Sequence, residues 1–388
     1  MKTQVNNTND KKSILFIVNN IDFFLSHRKK IGLEALKEGF KFIVCAPRNK
    51  NTETLKSLGF NYHQLPLRRG SLNIFKELYC LYKLNLLVKE IDPDLIHLVT
   101  IKPIIYGGLI AKIRGNLPIL VAFPGLGHLY TTKKISSMLI TSFVNQIFKL
   151  IFSNPNYKVI FQNKADANQI IKNANLESKQ CFYTYGSGVD LKEFSFSPIK
   201  EFSKIKFLFA SRLLKDKGIH DFYGAAKLLK DSEENNFEFL VAGDIDKENP
   251  SSISEKELEE WITSGIIKYI PFTKDIKQLL SETHITVLPS YREGMPKILL
   301  EASAIGRPIV TTRAPGCDEC VVDNFNGFKV NPGDIKLLSK KMKELGINKE
   351  NIKIFGGNSR KLAEERYSEN KVVKQHLVAY RSLINSNS

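Results

Sequence analysis

The chain has 388 residues, of which 43% are hydrophobic and 25% are charged, and its formal net charge at pH 7 is +17. This length and composition are typical of a globular protein of two or three domains, and they exclude a low-complexity chain. The charge leaves nucleic acid, anionic lipid headgroups and phosphorylated substrates open as partners. The five cysteines are few and odd in number, which argues against a disulfide framework and indicates a reducing compartment. No stretch approaches about 18 uninterrupted apolar residues, so no membrane-spanning helix is expected.

The first half of the chain alternates apolar strands with helices. Residues 1–12 are polar and are predicted to be a disordered tail, because they lack the apolar core of a secretion signal. Residues 13–18 are continuously apolar, which is typical of a strand buried on both faces. A loop is predicted at residues 19–26 and a helix at residues 28–38. The later elements of this half are predicted as strands at 41–46, 95–99, 119–123 and 158–162, and as helices at 74–90 and 104–114.

The second half repeats this alternation. Its strands are predicted at 206–210, 238–242, 268–270, 285–288 and 309–312, with a helix at 297–305. Periodicity is lost near residues 189–200, so this segment is interpreted as the hinge. The sequence therefore predicts an α/β protein with two Rossmann-like domains, at 13–193 and 194–370, each built on a parallel sheet. Residues 371–388 are predicted to be a C-terminal helix that packs back on the first domain. Ligands of such sheets bind beyond the carboxyl ends of the strands.

One stretch, residues 290–312, carries two glutamates with seven residues between them, Glu293 and Glu301. Gly294 and Pro296 make a continuous helix through both glutamates improbable, so Glu293 is expected just before a helix and Glu301 about one turn inside it. Two carboxylates so placed can accept hydrogen bonds from hydroxyls on two parts of an extended ligand. The helix N-terminus between them offers free amides to a phosphate. A nucleotide-sugar has this order of groups, namely ribose, diphosphate and sugar.

The same stretch resembles the signature of retaining glycosyltransferases of the GT-B fold, in particular glycosyltransferase family 4. The residues that carry the resemblance are Ser290, Glu293, Gly294, Pro296, Leu299, Leu300, Glu301, Ala302, Ala304, Gly306 and Pro308. The resemblance implies two domains facing a cleft, with a nucleotide-sugar bound by the second domain and the acceptor by the first. It also implies that Glu293 orients the donor sugar and Glu301 the ribose, and that the sugar keeps its anomeric configuration.

Further blocks of the second half are similar to the same family. Residues 211–218 match the block in which an arginine and a lysine bind the donor phosphates, here Arg212 and Lys217. With these two cations the resemblance implies that no metal is required. The two D-x-D triplets, at residues 92–94 and 244–246, are interpreted as structural, and the CxxC at 317–320 lacks a second ligand pair for zinc. The remaining candidates for the nucleotide-sugar site are Gly243, Phe272, Thr273, Gly294, Met295, Pro296 and Lys297.

Three blocks of the first half, at residues 20–28, 97–108 and 124–130, look like those of a bacterial subgroup that acts on undecaprenyl-diphosphate-linked saccharides. The resemblance places candidate acceptor contacts in loops after strands, and His128 near the transferred sugar as a further catalytic candidate. Each histidine or lysine here also has an ordinary structural interpretation. The candidates for acceptor binding are Asn20, His27, Lys102, Gly125 and Gly127.

The expected activity is transfer of a hexose or N-acetylhexosamine from a UDP-linked donor to a polyprenyl-diphosphate saccharide, for O-antigen or capsule synthesis. Two alternatives remain at this level, a UDP-sugar 2-epimerase of the same fold and a basic nucleic-acid-binding protein, although no nucleic-acid-binding module is recognisable. The expected location is cytoplasmic and peripheral on the inner face of the membrane. Residues 133–152 form a broad apolar helical stripe with only basic charges, which suits either an anionic membrane surface or a domain core.

Overall fold

The computed structural model describes residues 11–67, 73–126, 135–201, 203–232, 236–247, 249–273 and 275–386, apart from the side chains of residues 135–137. The chain divides into two compact units. The first contains the described residues of Met1–Phe161, Ala167–Tyr183 and Val373–Ser388, and the second contains those of Gln162–Asp166 and Thr184–Val372.

The first unit is built on a parallel sheet, with seven strands among the described residues in the order β3-β2-β1-β4-β5-β6-β7. Its strands are β1 Ser13–Ile17, β2 Lys41–Ala46, β3 Asn61–Gln64, β4 Leu95–Val99, β5 Ile119–Phe123, β6 Tyr157–Phe161 and β7 Cys181–Tyr183. The helices that accompany it are α1 Ile21–His27, α2 Lys29–Lys37, α3 Thr52–Ser57, α4 Ile74–Ile91, α5 Ile101–Ile113, α6 Ile135–Phe152 and α7 Lys164–Ala174. The central strands are buried along their whole length, because apolar layers cover both faces of the sheet. Helices α4–α7 contribute to one of these layers, and α1–α3 contribute to the other.

The second unit has a parallel sheet of six strands within the described ranges, in the order β10-β9-β8-β11-β12-β13. Its strands are β8 Ile205–Ala210, β9 Phe237–Ala242, β10 Lys268–Ile270, β11 Ile285–Leu288, β12 Ile309–Thr312 and β13 Gly327–Val330. Its helices are α8 Ile219–Asp231, α9 Glu255–Thr263, α10 Ile276–Glu282, α11 Lys297–Ile305, α12 Ile335–Gly346 and α13 Lys349–Leu362. The last helix, α14 Glu369–Asn385, contributes Val373, Leu377 and Tyr380 to the core of the first unit.

The prediction of two Rossmann-like parallel sheets is confirmed, and the strand orders show where ligands should bind. In each sheet the chain starts in the middle, builds outward to one edge and then returns to build the other half. The order therefore reverses between β1 and β4 in the first unit and between β8 and β11 in the second. Ligands of such sheets bind at the carboxyl edge, beside the point where the strand order reverses.

The loop predicted at residues 19–26 is wrong, because Ile21–His27 forms α1. Asn20 begins the helix, with its side-chain oxygen accepting a hydrogen bond from the amide of Asp22 at 2.6 Å. Ile21 and Phe24, three residues apart, are buried on one side of the helix. Phe23 and His27 stack on each other with ring centroids 4.5 Å apart. The cap and the Phe23–His27 pair contribute little on their own, so burial of Ile21 and Phe24 is what stabilises this seven-residue helix.

Candidate active site

The loops after β8 and β11 lie at the carboxyl edge of the second sheet, where the strand order reverses. These loops approach each other closely at Gly218, where a Cβ atom would lie 2.0 Å from the carbonyl oxygen of Pro289. Gly218 also has φ of 74°, in the left-handed region that favours glycine. The hydroxyl of Ser290 and the amide of Tyr291 both donate to the carbonyl of Asp216, at 3.0 and 2.9 Å. The two loops are therefore joined along their backbones.

Lys217 and Glu293 meet across these two loops. The ammonium nitrogen of Lys217 lies 2.5 Å from Oε2 of Glu293, and the two side chains are only 16% and 12% exposed. The amide of Glu293 donates to the carbonyl of Pro315 at 2.9 Å, which fixes the backbone of the loop. A largely buried ion pair of this kind has weak solvent screening, so each partner is well placed to act on a charged or hydroxylated ligand. The structure thus brings together two residues that the sequence assigned to one site.

Helix α11 begins directly after this loop. Pro296 precedes its first residue, with φ of −72° and ψ of 117°, and Gly306 ends it in the left-handed conformation. Glu301 is buried on this helix, and its Oε1 lies 3.3 Å from the ammonium of Lys297. Burial raises the pKa of the Glu301 carboxyl, and Lys297 opposes that shift. Glu293 therefore lies before the helix and Glu301 inside it, as the spacing predicts.

Arg212 follows β8 but points to a different partner. Its guanidinium lies 2.7 Å from Asp246, and nearly half of the Arg212 side chain is exposed. Asp246 belongs to one of the two D-x-D triplets, and Asp244 of the same triplet accepts a hydrogen bond from the amide of Phe272 at 3.1 Å. Among the residues that the structure describes, no group of three or more acidic, histidine or cysteine side chains is arranged to hold a metal.

The remaining donor-side candidates have backbone or packing roles that the structure shows directly. A Cβ atom at Gly243 would lie 1.9 Å from the carbonyl oxygen of Ser211, so only glycine permits this approach of the β8 and β9 ends. Met295 is buried in the core of the second unit. Phe272 is exposed, and the Thr273 hydroxyl accepts a hydrogen bond from the amide of Asp275 at 3.0 Å.

Sequence reasoning missed a buried network behind the Glu293 loop. The amide nitrogen of Asn163 donates to the carbonyls of Glu293 and Gly294, at 3.3 and 3.0 Å, and to Asp166 at 3.1 Å. Asp166 also pairs with the guanidinium of Arg292. These partners are about 130 residues apart in the chain, and no local pattern signals such a contact.

In the first unit, three of the acceptor candidates form contacts of their own. Asn20 caps α1, and Nδ1 of His27 lies 2.7 Å from the hydroxyl of Ser26. The ammonium of Lys102 lies 2.9 Å from Glu77, which also accepts a hydrogen bond from Tyr106. Gly125 follows β5 with φ of 135°. The other two candidates, Gly127 and His128, lie outside the described residues.

Models of known protein families match residues of both units. The family model for glycosyl transferases group 1 matches residues 190–362, and the model for glycosyl transferase 4-like proteins matches residues 13–163. The N,N'-diacetylbacillosaminyl-diphospho-undecaprenol alpha-1,3-N-acetylgalactosaminyltransferase of Campylobacter jejuni is 30% identical over 91% of this chain and 94% of its own. The chain belongs to the glycosyltransferases. The family predicted from residues 290–312 is confirmed, and the protein is an enzyme of the transferase class.

Two further proteins are similar to this glycosyltransferase over most of its length. The capsular polysaccharide biosynthesis glycosyltransferase CapM of Staphylococcus aureus is 27% identical over 79% of this chain and 81% of its own. The crystal structure of Anabaena HepE in complex with UDP and glucose superposes with a TM-score of 0.76 over 96% of this chain and all of that chain, at 18% identity. The GT-B fold is therefore confirmed.

Proposed function

We propose that this glycosyltransferase moves a hexose or N-acetylhexosamine from a UDP-linked donor to a lipid-diphosphate-linked saccharide, with retention of configuration, in cell-surface polysaccharide synthesis. The observation that carries the proposal is the Lys217–Glu293 pair at the reversal point of the second sheet, directly before the N-terminus of α11. One cation, one carboxylate and the N-terminus of a helix suit a diphosphate joined to a hydroxylated sugar.

The names of the relatives support the choice of substrates. The Campylobacter relative is named for transfer of N-acetylgalactosamine to an undecaprenol-diphosphate-linked sugar, and CapM is named for capsular polysaccharide biosynthesis. HepE binds UDP and glucose in its crystal structure. These properties support a UDP-linked donor and a polyprenyl-linked acceptor for this chain, and they favour a transferase over a UDP-sugar 2-epimerase of the same fold.

In the proposed reaction, a hydroxyl of the acceptor forms a bond to the anomeric carbon while the bond from that carbon to the diphosphate oxygen breaks. Lys217 and Arg212 stabilise the negative charge that develops on the leaving diphosphate. Glu293 accepts hydrogen bonds from the donor sugar, and Glu301 from the ribose. The proton of the acceptor hydroxyl passes to the departing phosphate on the same face of the sugar. We propose that these cations make a metal ion unnecessary.

The acceptor class also implies a location. A polyprenyl-diphosphate saccharide is held in a bilayer, so the enzyme is proposed to work as a peripheral protein on the inner face of the cytoplasmic membrane. No helix in the described parts of the chain is both long and apolar enough to cross a membrane.

The test is a panel of UDP- and GDP-sugars incubated with a short-chain polyprenyl-diphosphate saccharide, with and without EDTA. We expect UDP release coupled to one elongated product whose anomeric configuration, determined by NMR, matches that of the donor. An inverted product would contradict the retaining mechanism, and a free epimer without elongation would favour the epimerase. Loss of activity in EDTA that magnesium or manganese restores would contradict the metal-independent reaction.

A further inference from the structure

Helices α4, α5 and α6 carry an unusual concentration of exposed apolar side chains. Helix α5 contacts both α4 and α6, so the three form one layer on the first sheet. Twelve of the 23 large apolar side chains that are exposed among the described residues lie on these three helices. We refer to them as the apolar face, which consists of Ile74, Phe75, Leu78, Tyr79, Tyr82, Leu86, Ile113, Met138, Leu139, Ile140, Phe143 and Leu150.

The apolar face is additional to the core contacts of the same helices. Helix α4 already buries Cys80, Leu84 and Val88 against the sheet, and α6 buries Val144, Phe148 and Ile151. On the outer side, Phe75 is 79% exposed and Phe143 is 67% exposed. Such a concentration of exposed apolar side chains is typical of an interaction site. The sequence left two roles open for the apolar stripe of α6, packing in the core or lying at a surface. One side of the helix packs in the core, and another side is exposed.

The charges around the apolar face are mainly positive. Lys149 is the one charged residue of α6. Lys76 and Lys83 are exposed on α4, with the ammonium of Lys83 located 5.6 Å from the centre of the Tyr79 ring. Of the two acidic residues of α4, Glu77 is engaged by Lys102 and Tyr106, and Glu90 lies in the last turn. Lysines and tyrosines beside phenylalanine, leucine and methionine are the composition of a helix that lies in a lipid interface.

We propose that the apolar face inserts into the interfacial region of an anionic lipid bilayer, with Lys76, Lys83 and Lys149 contacting the headgroups. A second copy of the chain is a less suitable occupant, because pairing this face with itself would bring the lysines of both copies together without opposing acidic groups. This inference rests on the proposed function only in that a lipid-linked acceptor requires a membrane. Its test uses no substrate, so its failure is distinguishable from failure of the proposed reaction.

The test is flotation of the full chain with phosphatidylcholine vesicles that contain or lack phosphatidylglycerol, at low and high salt. We expect binding that requires the anionic lipid and weakens with salt. Reversing one lysine should lower the partition coefficient about fivefold, and reversing all three about a hundredfold. Phe75→Glu with Phe143→Glu should lower it by at least about tenfold. The matched control is Ile347→Glu with Ile354→Glu, which changes two exposed isoleucines of the second unit and should leave binding unchanged.

A fluorescence measurement covers the case in which a variant folds poorly. The chain has one tryptophan, Trp261, so Phe143→Trp in a Trp261→Phe background reports on the apolar face alone. Its emission should shift to the blue with anionic vesicles. Absence of wild-type flotation at low salt, unchanged binding after lysine reversal, or no shift in vesicle-bound protein would overturn the proposal. So would a dimer in sedimentation experiments that the Phe75→Glu and Phe143→Glu changes dissolve.

A second, independent observation concerns the buried network of Asn163, Asp166 and Arg292 in the second unit. Asn163 and Asp166 are 2% and 1% exposed. The side-chain oxygen of Asn163 accepts a hydrogen bond from the amide of Asp166 at 2.8 Å, which orients the Asn163 amide toward the Glu293 loop. We infer that Asn163 is a positioning residue, which holds the carbonyls of Glu293 and Gly294 so that the Glu293 carboxylate meets Lys217.

Other contacts also restrict the Glu293 loop and the residues that hold it. A Cβ atom at Gly316 would lie 2.5 Å from the carbonyls of both Glu293 and Gly294, so the loop is held from a second side as well. Asp166 and Arg292 balance each other's charge, and Asp166 accepts a hydrogen bond from the Asn163 amide at 3.1 Å. Removal of the Asn163 amide would leave two buried carbonyls without this donor.

The test compares Asn163→Ala with Asn154→Ala. Asn154 is an equally buried asparagine of the first unit that donates to the carbonyl of Leu117 at 2.9 Å, so its loss has a similar structural effect elsewhere. We expect kcat to fall about tenfold or more in Asn163→Ala with little change in the donor KM, and to stay near normal in Asn154→Ala. Arg292→Lys should retain more activity than Arg292→Ala.

Hydrogen exchange of the segment at residues 290–296 gives a result that does not depend on activity. It should become faster in Asn163→Ala and stay unchanged in Asn154→Ala. Normal kcat and exchange in Asn163→Ala, or equal losses in both variants, would overturn the positioning role. An inactive wild type with the expected exchange pattern would instead count against the proposed reaction.

Discussion

The loops that follow the strands are built differently in the two units. In the second unit the loops after β8 and β11 are bonded to each other, with Lys217 paired to a glutamate 76 positions later in the chain. In the first unit Asn20 and His27 contact their own neighbours, whereas Lys102 contacts Glu77 of α4. Asn20 binds the amide two residues along, and His27 binds the adjacent Ser26. Contacts between distant loops therefore position Lys217 and Glu293, whereas Asn20 and His27 are held by local contacts.

This difference indicates which part of the enzyme is ready for its ligand. A site whose charged groups are already held in place loses little free energy to reorganisation when a ligand binds. The Lys217–Glu293 pair has this character. The acceptor candidates would exchange an existing structural contact for a ligand contact, so substitutions there should affect stability as well as binding. Substitutions in the two units should separate these two behaviours.

The largest effect is expected from the phosphate-binding cations. Lys217→Ala and Arg212→Ala should each lower kcat by roughly a hundredfold or more, because each removes one stabilising charge from the transition state. Both residues lie outside the strands and helices of the core, so folding should be retained. Steady-state kinetics with a saturating donor is the measurement.

The matched control is Lys215→Ala, which removes an exposed lysine from the same short turn as Lys217. It should leave kcat within about twofold, since surface charges contribute little on their own. Equal losses in Lys215→Ala and Lys217→Ala would mean that general positive charge, and not a specific phosphate contact, sustains the activity.

The two glutamates should separate turnover from nucleotide binding. Glu293→Gln is expected to lower kcat about tenfold or more with little change in UDP affinity, whereas Glu301→Gln should weaken UDP by a similar factor. The reason is their placement, one before α11 beside Lys217 and one inside the helix beside Lys297. Calorimetric titration of UDP into both variants is the measurement, and equal losses of UDP affinity would refute the division of roles.

The comparison also shows what the sequence can predict. Strands β2, β4, β5, β10, β11 and β12 and helix α11 have the predicted bounds, because continuous apolar runs and the Pro296 and Gly306 signals are local. Lys217 and Glu293 were assigned to one site by a family resemblance, but their ion pair was not predicted. The Asn163 contact and the Asp246 partner of Arg212 could not be predicted, because they depend on how distant loops pack. Helix α1 was missed because its stability comes from burial of Ile21 and Phe24.

An acid-sensitive element lies in the core of the first unit. His97 is fully buried, and its Nδ1 lies 2.7 Å from the hydroxyl of Tyr380. Burial, with smaller contributions from His376 and Arg28, holds the pKa of His97 well below its usual value. Below about pH 6.5, His97 therefore binds a proton in the unfolded chain but not in the folded chain. The free energy of unfolding should fall by up to about 1.4 kcal/mol per pH unit in that range.

Urea unfolding of His97→Gln should show a shallower decline between pH 7 and pH 5 than the wild type. The control is Tyr380→Phe, which removes the hydroxyl but keeps the histidine, so the wild-type slope should persist at lower stability. An unchanged slope in His97→Gln would assign the acid sensitivity elsewhere, for example to His284 of the second unit, whose pKa burial lowers to about 4.

The smallest effect is expected at Asn20, where capping and acceptor binding can be separated. Asn20→Ala should cost about 1 kcal/mol of stability, because the amide of Asp22 loses its acceptor at the start of α1. Asn20→Asp keeps an acceptor at the same position and should preserve stability. If Asn20 also contacts the acceptor, as the resemblance implies, Asn20→Asp should still raise the acceptor KM, because it replaces the amide donor with a negative charge that repels a diphosphate. Urea unfolding and acceptor kinetics on the two variants decide the matter. A normal acceptor KM in Asn20→Asp would mean that Asn20 only caps α1, and that other residues of the first unit recognise the acceptor.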